Sequence, residues 1–342
     1  MAESLWKRLG PAPLQVDDYE LERLEQPVTR GFTRVTTVVH LRGGGHEGVG
    51  EDVTWFPEHH DREQKAGAIL PLAGSWTLDS FSDALEMPDP HRRWAYESAA
   101  LDLALRQGDT SLAKVVGREP SPVSFVVSPG LGEPPTSRVV LRWLELDPSH
   151  RFKLDPGDDW TDQLIQALAE TGAVVTADYK AYYRTENDPP PDPELYRRVA
   201  EGFPDAYLED PALTEETDAV LAPHRERVTW DAPIHSVADV EALAFPPRVL
   251  NSKPSRFGRL SELLAFYDYC AANEISLYGG GMFELGPGRG QIQYLASLFH
   301  ADGPNDVAPR EYNDPEPRPG LPGSPLEPLP AESGFHWDYP DA

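Results

Sequence analysis

The sequence has a single cysteine, few basic residues and no long apolar segment. One cysteine among 342 residues, Cys270, excludes an internal disulfide bond and a zinc site built on several cysteines. The 30 lysines and arginines stand against 57 acidic residues, and this formal net charge of −27 argues against a nucleic-acid partner. No stretch approaches the roughly 18 apolar residues of a membrane helix. Residues 1–11 lack the apolar core of a secretory signal, so we expect a cytoplasmic protein.

The first third of the chain has the pattern of an α+β unit. Thr33–Leu41 and Glu47–Trp55 read as strands, and Gly43 to Gly45 form the turn between them, which predicts an antiparallel hairpin. The residues from His91 to Gln107 have apolar side chains at helical spacing, and Gly108 is a plausible helix stop.

From about residue 123 onward, short apolar runs alternate with helical patterns. The runs are Val123–Ser128, Val139–Leu146, His150–Leu154, Val174–Asp178, Ala206–Glu209, Val228–Asp231, Arg248–Asn251 and Ser276–Gly279. The helical patterns between the later runs are Trp160–Thr171, Pro193–Gly202, Val237–Leu243, Leu260–Asn273 and Gly290–Phe299. This alternation predicts parallel βαβ units, and their number favours a closed barrel, although periodicity alone leaves a doubly wound sheet open. After Asn305 the chain is rich in proline, which predicts an extended surface tail.

Three acidic residues follow successive strand-like runs. They are Asp178, Glu209 and Asp231, each about one βα unit from the next. Residues at the carboxyl ends of barrel strands point into the active site, so these carboxylates are expected side by side. Close carboxylates repel unless a hard cation such as Mg²⁺ neutralises them. The alternative is that each acid caps the helix that follows it.

The next two runs end in residues that are suited to catalysis and binding. Lys253 follows one strand, where a lysine that faces a cation is a candidate base; a structural salt bridge is the alternative. The following run leads into Gly280, Gly281 and Met282, and these glycines allow close backbone approach to a ligand. Glu284 could bind substrate or Lys253, or it could cap the next helix.

These segments resemble the enolase superfamily, in its muconate-lactonising and mandelate-racemase-like branch. The resemblance lies in LEDP at 208–211, NSKPSRFG at 251–258, GGGMFELGPGRGQIQYLASL at 279–298, and the helical segment at 92–117. It implies a (β/α)₇β modified TIM barrel with an N-terminal α+β capping domain that the C-terminal tail completes. We expect the cap at 1–120, the barrel at 121–308 and a Pro-rich tail at 309–342 packing back on the cap.

The resemblance also implies a chemistry. Mg²⁺, or Mn²⁺ in its place, would be bound by Asp178, Glu209 and Asp231, and Lys253 would remove the proton α to the carboxylate of a small-molecule substrate. The metal would stabilise the enediolate, in a lyase (dehydratase) or isomerase (epimerase) reaction. Relatives of this type often assemble as dimers or octamers, so a homo-oligomer is expected. Flexible cap loops of such enzymes select the substrate, and residues 43–52 and 55–66 are the candidates here.

The chain departs from the family pattern on the second barrel strand, where relatives carry Lys-x-Lys. In one alignment Lys153 takes the first position and Asp155 replaces the catalytic lysine; in the other, Arg151 takes the first position and Lys153 remains catalytic. Pro156-Gly157 ends the strand where the first alignment requires it. Our hypothesis is that Lys180, two residues beyond Asp178, partly replaces the missing lysine in space; the alternative is an ion pair between Asp155 and Lys180 that has no role in proton transfer. The altered strand favours one-sided chemistry over racemisation, and it leaves open a relative that binds metal or ligand without turnover.

Overall fold

The computed structural model describes residues 3–28, 31–314, 316–329 and 331–337. The strands are β1 Pro13–Val16, β2 Asp18–Pro27, β3 Thr33–Gly43, β4 His46–Asp52, β5 Gly74–Thr77, β6 Phe152–Leu154, β7 Val174–Asp178, β8 Tyr207–Glu209, β9 Val228–Thr229, β10 Val249–Ser252 and β11 Ser276–Gly279. The helices are α1 Leu5–Leu9, α2 Pro57–Ala66, α3 Leu78–Ala84, α4 Pro90–Gln107, α5 Leu112–Val116, α6 Arg138–Leu146, α7 Asp162–Ala169, α8 Pro193–Gly202, α9 Glu215–Leu221, α10 Val237–Glu241, α11 Pro254–Phe257, α12 Leu260–Ala272 and α13 Pro287–Phe299. Short 3₁₀ helices occupy Ala181–Tyr183, Ala222–Arg227 and Arg310–Asn313.

An antiparallel sheet in the order β2-β3-β4 forms the centre of the N-terminal unit. The predicted hairpin is confirmed by the pairing of β3 with β4, although β4 ends at Asp52 rather than at Trp55. The sequence analysis missed β2, which pairs along β3 over its whole length. Half of its ten residues, DYELERLEQP, are charged and only one is buried, because it is an edge strand, so it lacks the apolar pattern by which a strand is recognised.

The glycines of β4 serve packing against α4. A Cβ atom at Gly50 would clash with the carbonyl oxygen of Ala95, and one at Gly48 would clash with the backbone of Ala99 and Leu103. The small residues therefore let the sheet and the helix approach each other closely, which buries one face of each. Close packing thus accounts for Gly48 and Gly50, whereas Gly44 and Gly45 have positive φ values at the turn between β3 and β4. A loop-closing role for residues 43–52 stays a prediction.

The barrel is a closed circuit of parallel strands. The strands β6-β7-β8-β9 form one parallel sheet and β10-β11 a second, and Asn251 N donates to Trp230 O between them, at 3.1 Å. Parallel bridges join Val127 to Phe152, Gly280 to Asp306 and Phe125 to Asn305, which closes the circuit. The predicted fold class, a modified TIM barrel with an antiparallel N-terminal cap, is confirmed.

One predicted strand is wrong, because Val139–Leu146 lies within helix α6. Val140 and Trp143 are buried and lie three residues apart, whereas Leu141 and Leu146 are exposed, which is the pattern of an amphipathic helix. Short apolar runs fit strands and helices equally well by composition, and here the helical spacing decides.

The proline-rich tail runs back along the molecule. Within its described part, residues 314–337 contain no helix or strand, and bridges pair Leu326 with Val123 and Gly334 with Ser111. Phe335 N donates to Asp102 on α4 at 2.6 Å, and the Phe335 ring packs edge-on against Trp94. Residues 338–342 of the predicted tail lie outside the described residues. The boundaries 1–120, 121–308 and 309–342 stay a prediction. No described helix is both long and apolar enough to cross a membrane.

The close approach of β4 to α4 makes a stability prediction. Gly50→Ala should lower the free energy of unfolding by about 1–3 kcal/mol, because the added methyl group overpacks a backbone-to-backbone contact. Denaturant unfolding of the full chain measures this change. Gly323→Ala is the control, since a Cβ there meets nothing nearer than 3.7 Å. Equal stability of Gly50→Ala and the control would contradict the packing account.

Candidate metal centre and active site

The ends of adjacent strands place the predicted acids at one end of the barrel. Asp178 is the last residue of β7 and pairs in register with Glu209, the last residue of β8. Asp231 lies two residues beyond β9, and Lys253 directly follows β10. All four side chains are buried. Parallel strands that end at one level thus bring residues of four chain segments around a common point.

A tight cluster of carboxylates forms from two of the predicted ligands and one residue that was not predicted. Oxygens of Asp178, Glu209 and Asp210 all lie within 4.8 Å of one another. Asp210 has a φ of 49°, and its carboxylate accepts hydrogen bonds from the backbone N–H groups of Asp231, at 2.8 Å, and Ala232, at 3.0 Å. Its place in the LEDP segment was the signal that could have drawn attention to it.

Two lysines neutralise this cluster. Lys153 Nζ lies 3.0 Å from Asp178 Oδ2 and also contacts Glu209 Oε1. Lys180 Nζ contacts Asp178 Oδ2 and lies 3.7 Å from Asp155 Oδ1. Burial lowers the pKa of Lys153, but the attraction of Asp178 and Glu209 outweighs it and raises that pKa well above its usual value. For Asp178, burial raises the pKa and the two lysines outweigh it, so the group stays ionised.

Asp231 belongs to a second ion cluster. Lys253 Nζ donates to its Oδ2 at 2.6 Å, and Arg256 Nε donates to its Oδ1 at 3.1 Å. Burial raises the pKa of Asp231, but the attraction of Lys253 and then of Arg256 outweighs burial and holds the pKa below its usual value. Arg256 was not among the predicted site residues, although it lies within the quoted NSKPSRFG segment. It also donates to the Tyr183 hydroxyl.

A cavity of about 610 Å³ opens above these clusters. Its lining includes the cationic residues Lys153, Lys180, Lys253, Arg256 and Arg289, and the acidic residue Asp306. Aromatic side chains of Phe32 and Trp55 from the N-terminal unit and of Phe283 from the barrel also line it. Their ring centroids lie 5.2 to 6.5 Å apart, so they form one aromatic cluster. The predicted cap segment at 55–66 thus contributes Trp55 to the cavity, and its remainder is mostly helix α2.

The predicted substrate-binding residues divide into two groups. Gly281 and Met282 line the cavity, whereas Gly280 and Glu284 are not among the described lining residues. A Cβ at Gly280 would lie 3.0 Å from Lys253 Cε, so this glycine makes room for the lysine. Glu284 accepts a hydrogen bond from Met282 N at 2.7 Å.

The donor set suits a hard divalent cation. The cluster offers only carboxylate oxygens, and burial, with a smaller contribution from the neighbouring carboxylates, raises the pKa of Glu209 to about 8. A buried group of acids of this kind is a site for a divalent metal ion.

Models of the two domains of one protein family match most of the chain. Residues 7–115 match the N-terminal domain, and residues 119–314 the C-terminal domain, of a family described as a domain of unknown function, DUF8230. The chain belongs to this family. Sequence relatives that are racemases and synthases, and solved structures of the enolase superfamily, also confirm its predicted membership of that superfamily, in the muconate-lactonising and mandelate-racemase-like branch, as an enzyme of the lyase or isomerase type.

The most similar relatives include enzymes and solved structures of that superfamily. An N-succinylamino acid racemase of Thermus thermophilus is 28% identical over 324 residues, which cover 86% of each chain. An o-succinylbenzoate synthase of Bacillus subtilis is 26% identical and covers 77% of this chain and 75% of its own. A dipeptide epimerase structure from Methylococcus capsulatus, complexed with Mg and a dipeptide, has a TM-score of 0.68 at 20% identity, over 86% of this chain and 90% of that one.

The acidic cluster makes a prediction about metal binding. Asp178→Asn should weaken Mn²⁺ binding by at least about tenfold, because it removes a charged oxygen donor from the centre of the cluster. Isothermal titration calorimetry with Mn²⁺ measures the change. Asp162→Asn, an exposed acid on α7, is the control and should bind Mn²⁺ like the unaltered protein. Unchanged affinity in Asp178→Asn would exclude the cluster as the metal site.

Proposed function

We propose that the protein is a Mg²⁺-dependent enzyme that abstracts the proton α to a substrate carboxylate, in a lyase or isomerase reaction. The observation that carries this proposal is that one cavity is lined by Lys253 and by Lys153 and Lys180, the two lysines that pair with the buried acidic cluster. Two metal ligands of the proposed site are Asp178 and Glu209, with Asp231, or Asp210 in its place, as the third. Mg²⁺, or Mn²⁺, would supply an electrophile for the negative charge that develops on the substrate carboxylate.

Lys253 is the proposed base. It lines the cavity, and its ammonium pairs with Asp231, which Arg256 also contacts through two nitrogen atoms. A lysine must be neutral to accept a proton from carbon. Arg256 gives the buried Asp231 carboxylate a second cationic partner, so this carboxylate does not depend on Lys253 alone for charge compensation.

The other candidates for a catalytic acid or base are Lys180, Lys153 and Asp155. Lys153 is buried between Asp178 and Glu209, whereas the Lys180 side chain is 37% exposed and lines the cavity. Asp155 lies beside Lys180 and is not among the described lining residues. Lys180 is therefore our first choice among these three for contact with substrate. The absence of a lysine at position 155 favours a one-base reaction.

The names of the sequence relatives supply a substrate proposal. Both the racemase and the synthase are named for compounds that carry a succinyl group. We infer a small-molecule carboxylate that bears such a group, and a homo-oligomeric enzyme remains part of the proposal.

A second candidate is a relative that binds metal or ligand without turnover. The cavity lysines favour it in one respect, because Lys153, Lys180 and Lys253 each form ion pairs with acids of the site. The same three lysines nevertheless line the cavity, where a substrate would contact them. Proton exchange at carbon separates the two candidates.

The proposed chemistry predicts exchange of the substrate α-proton with solvent. With Mg²⁺ in D₂O, N-succinylamino acids should incorporate deuterium at the α-carbon, and Lys253→Ala should lower the rate by at least about a hundredfold, since general-base catalysis contributes that much. Proton NMR measures the loss of the α-proton signal. Lys114→Ala, an exposed lysine on α5, is the control. Exchange that is unaffected by Lys253→Ala would rule out Lys253 as the base, and the absence of exchange in the unaltered protein would favour the second candidate.

A further inference from the structure

Five cationic side chains line the cavity within the described residues, and four of them neutralise acids of the strand ends. Lys153 and Lys180 pair with Asp178, while Lys253 and Arg256 pair with Asp231. The fifth is Arg289, which contacts neither cluster. Its charge is therefore not needed to balance the proposed metal ligands.

Arg289 lies in the first turn of α13 and is only 7% exposed. Its one ion pair among the described residues joins Nη2 to Glu284 Oε2 at 3.3 Å. Its Nε is buried and has no hydrogen-bond partner within the described ranges. A guanidinium carries five N–H donors, and a buried donor without a partner costs about 1–3 kcal/mol. The described residues therefore leave the hydrogen-bonding capacity of the Arg289 guanidinium incompletely used.

The backbone N–H groups at the start of α13 already have a hydrogen-bond acceptor. The Glu51 carboxylate accepts hydrogen bonds from the backbone N–H groups of Leu285, Gly286 and Gly288, at 2.6 to 3.0 Å. The unpaired donor thus belongs to the Arg289 side chain, which lines the cavity, rather than to the helix terminus.

Two consecutive glycines, Gly280 and Gly281, lie beside the proposed base and beside Arg289, respectively. A Cβ at Gly280 would lie 3.0 Å from Lys253 Cε, and a Cβ at Gly281 would lie 3.3 Å from Arg289 Nη1 and 2.5 Å from Glu284 Oε2. Lys253 and Arg289 therefore flank neighbouring residues of one backbone segment. A ligand that reaches Lys253 with its reacting carbon can reach Arg289 with a group a few bonds away.

We propose that Arg289 binds a second carboxylate of the substrate, remote from the carbon that loses its proton. The planar guanidinium matches a carboxylate through two parallel N–H···O bonds, which a neutral group cannot reproduce. This inference rests on the proposed function, because it assigns part of the same cavity. It makes Arg289 a residue that determines specificity for diacids, with the aromatic cluster of Phe32, Trp55 and Phe283 lining the same cavity.

The test compares two ligands that differ only in the distal charge. N-succinylglycine carries two carboxylates, and its terminal amide, N-succinamoylglycine, keeps the size and loses the distal charge. Loss and return of a proton at the glycine carbon regenerates the same molecule, so binding is measured without a change of ligand. Calorimetry on the full chain with saturating Mg²⁺ gives both dissociation constants for the unaltered protein, Arg289→Met, Arg289→Lys and the exposed control Arg318→Met.

The unaltered protein and Arg318→Met should bind the diacid about ten- to a hundredfold more tightly than the amide. Arg289→Met should bring this ratio to about one and leave amide binding unchanged, and Arg289→Lys should give an intermediate ratio. If Arg289→Met fails to fold, the ratio of diacid to amide affinity in Arg289→Lys still tests the Arg289 site. A ratio near one in the unaltered protein, a ratio that survives in both variants, or binding of neither ligand would overturn the assignment.

Deuterium exchange into N-succinylglycine is a separate measurement that tests the proposed function. Exchange together with an affinity ratio near one overturns the Arg289 site alone. A high affinity ratio without exchange overturns the proposed function alone.

Discussion

Buried carboxylates at the ends of neighbouring strands are the constraint on which the rest of the structure depends. Asp178, Glu209, Asp210 and Asp231 are crowded at one end of the barrel, away from water. Two like charges about 4 Å apart cost about 4 kcal/mol at an effective dielectric constant of about 20. Such a cluster persists because cations lie beside it, and the lysines and Arg256 supply them in this structure. A divalent ion would replace part of this compensation, which explains how one cluster can be both an ion-pair network and a metal site.

Two further buried charged residues, Glu51 and Arg34, join the N-terminal unit to the barrel near the cavity. Glu51 of β4 holds the start of α13, and Arg34 of β3 donates to Met282 O in the barrel and to Val53 O and Thr54 O in its own unit. These contacts place Trp55 and Phe283 on the same cavity. The cavity is thus lined by residues of both the N-terminal unit and the barrel, and Arg289 is among the barrel residues that line it.

The sequence predicted the parts of the site that depend on local pattern. Strands β7 and β11 have the predicted bounds, and the acids and Lys253 lie where strand-like runs end, because the end of a parallel strand is also the mouth of the barrel. Contacts between distant segments were not predictable in this way. Asp210 joins the cluster through a left-handed backbone conformation, and Trp55 reaches the cavity from another domain. Helix α6 was misread as a strand because its apolar run was judged by composition, which fits strands and helices equally well, rather than by the helical spacing of Val140 and Trp143.

The metal site at the strand ends is tested most directly by the structure of a crystal grown with Mn²⁺, because the anomalous scattering of Mn²⁺ locates the ion. The account predicts an ion coordinated by Asp178 and Glu209 together with Asp231 or Asp210, and it predicts that Lys180 and Lys153 withdraw from the oxygens that become ligands. An ion elsewhere, or no ion at the strand ends with the lysine–carboxylate pairs intact at saturating Mn²⁺, would contradict it.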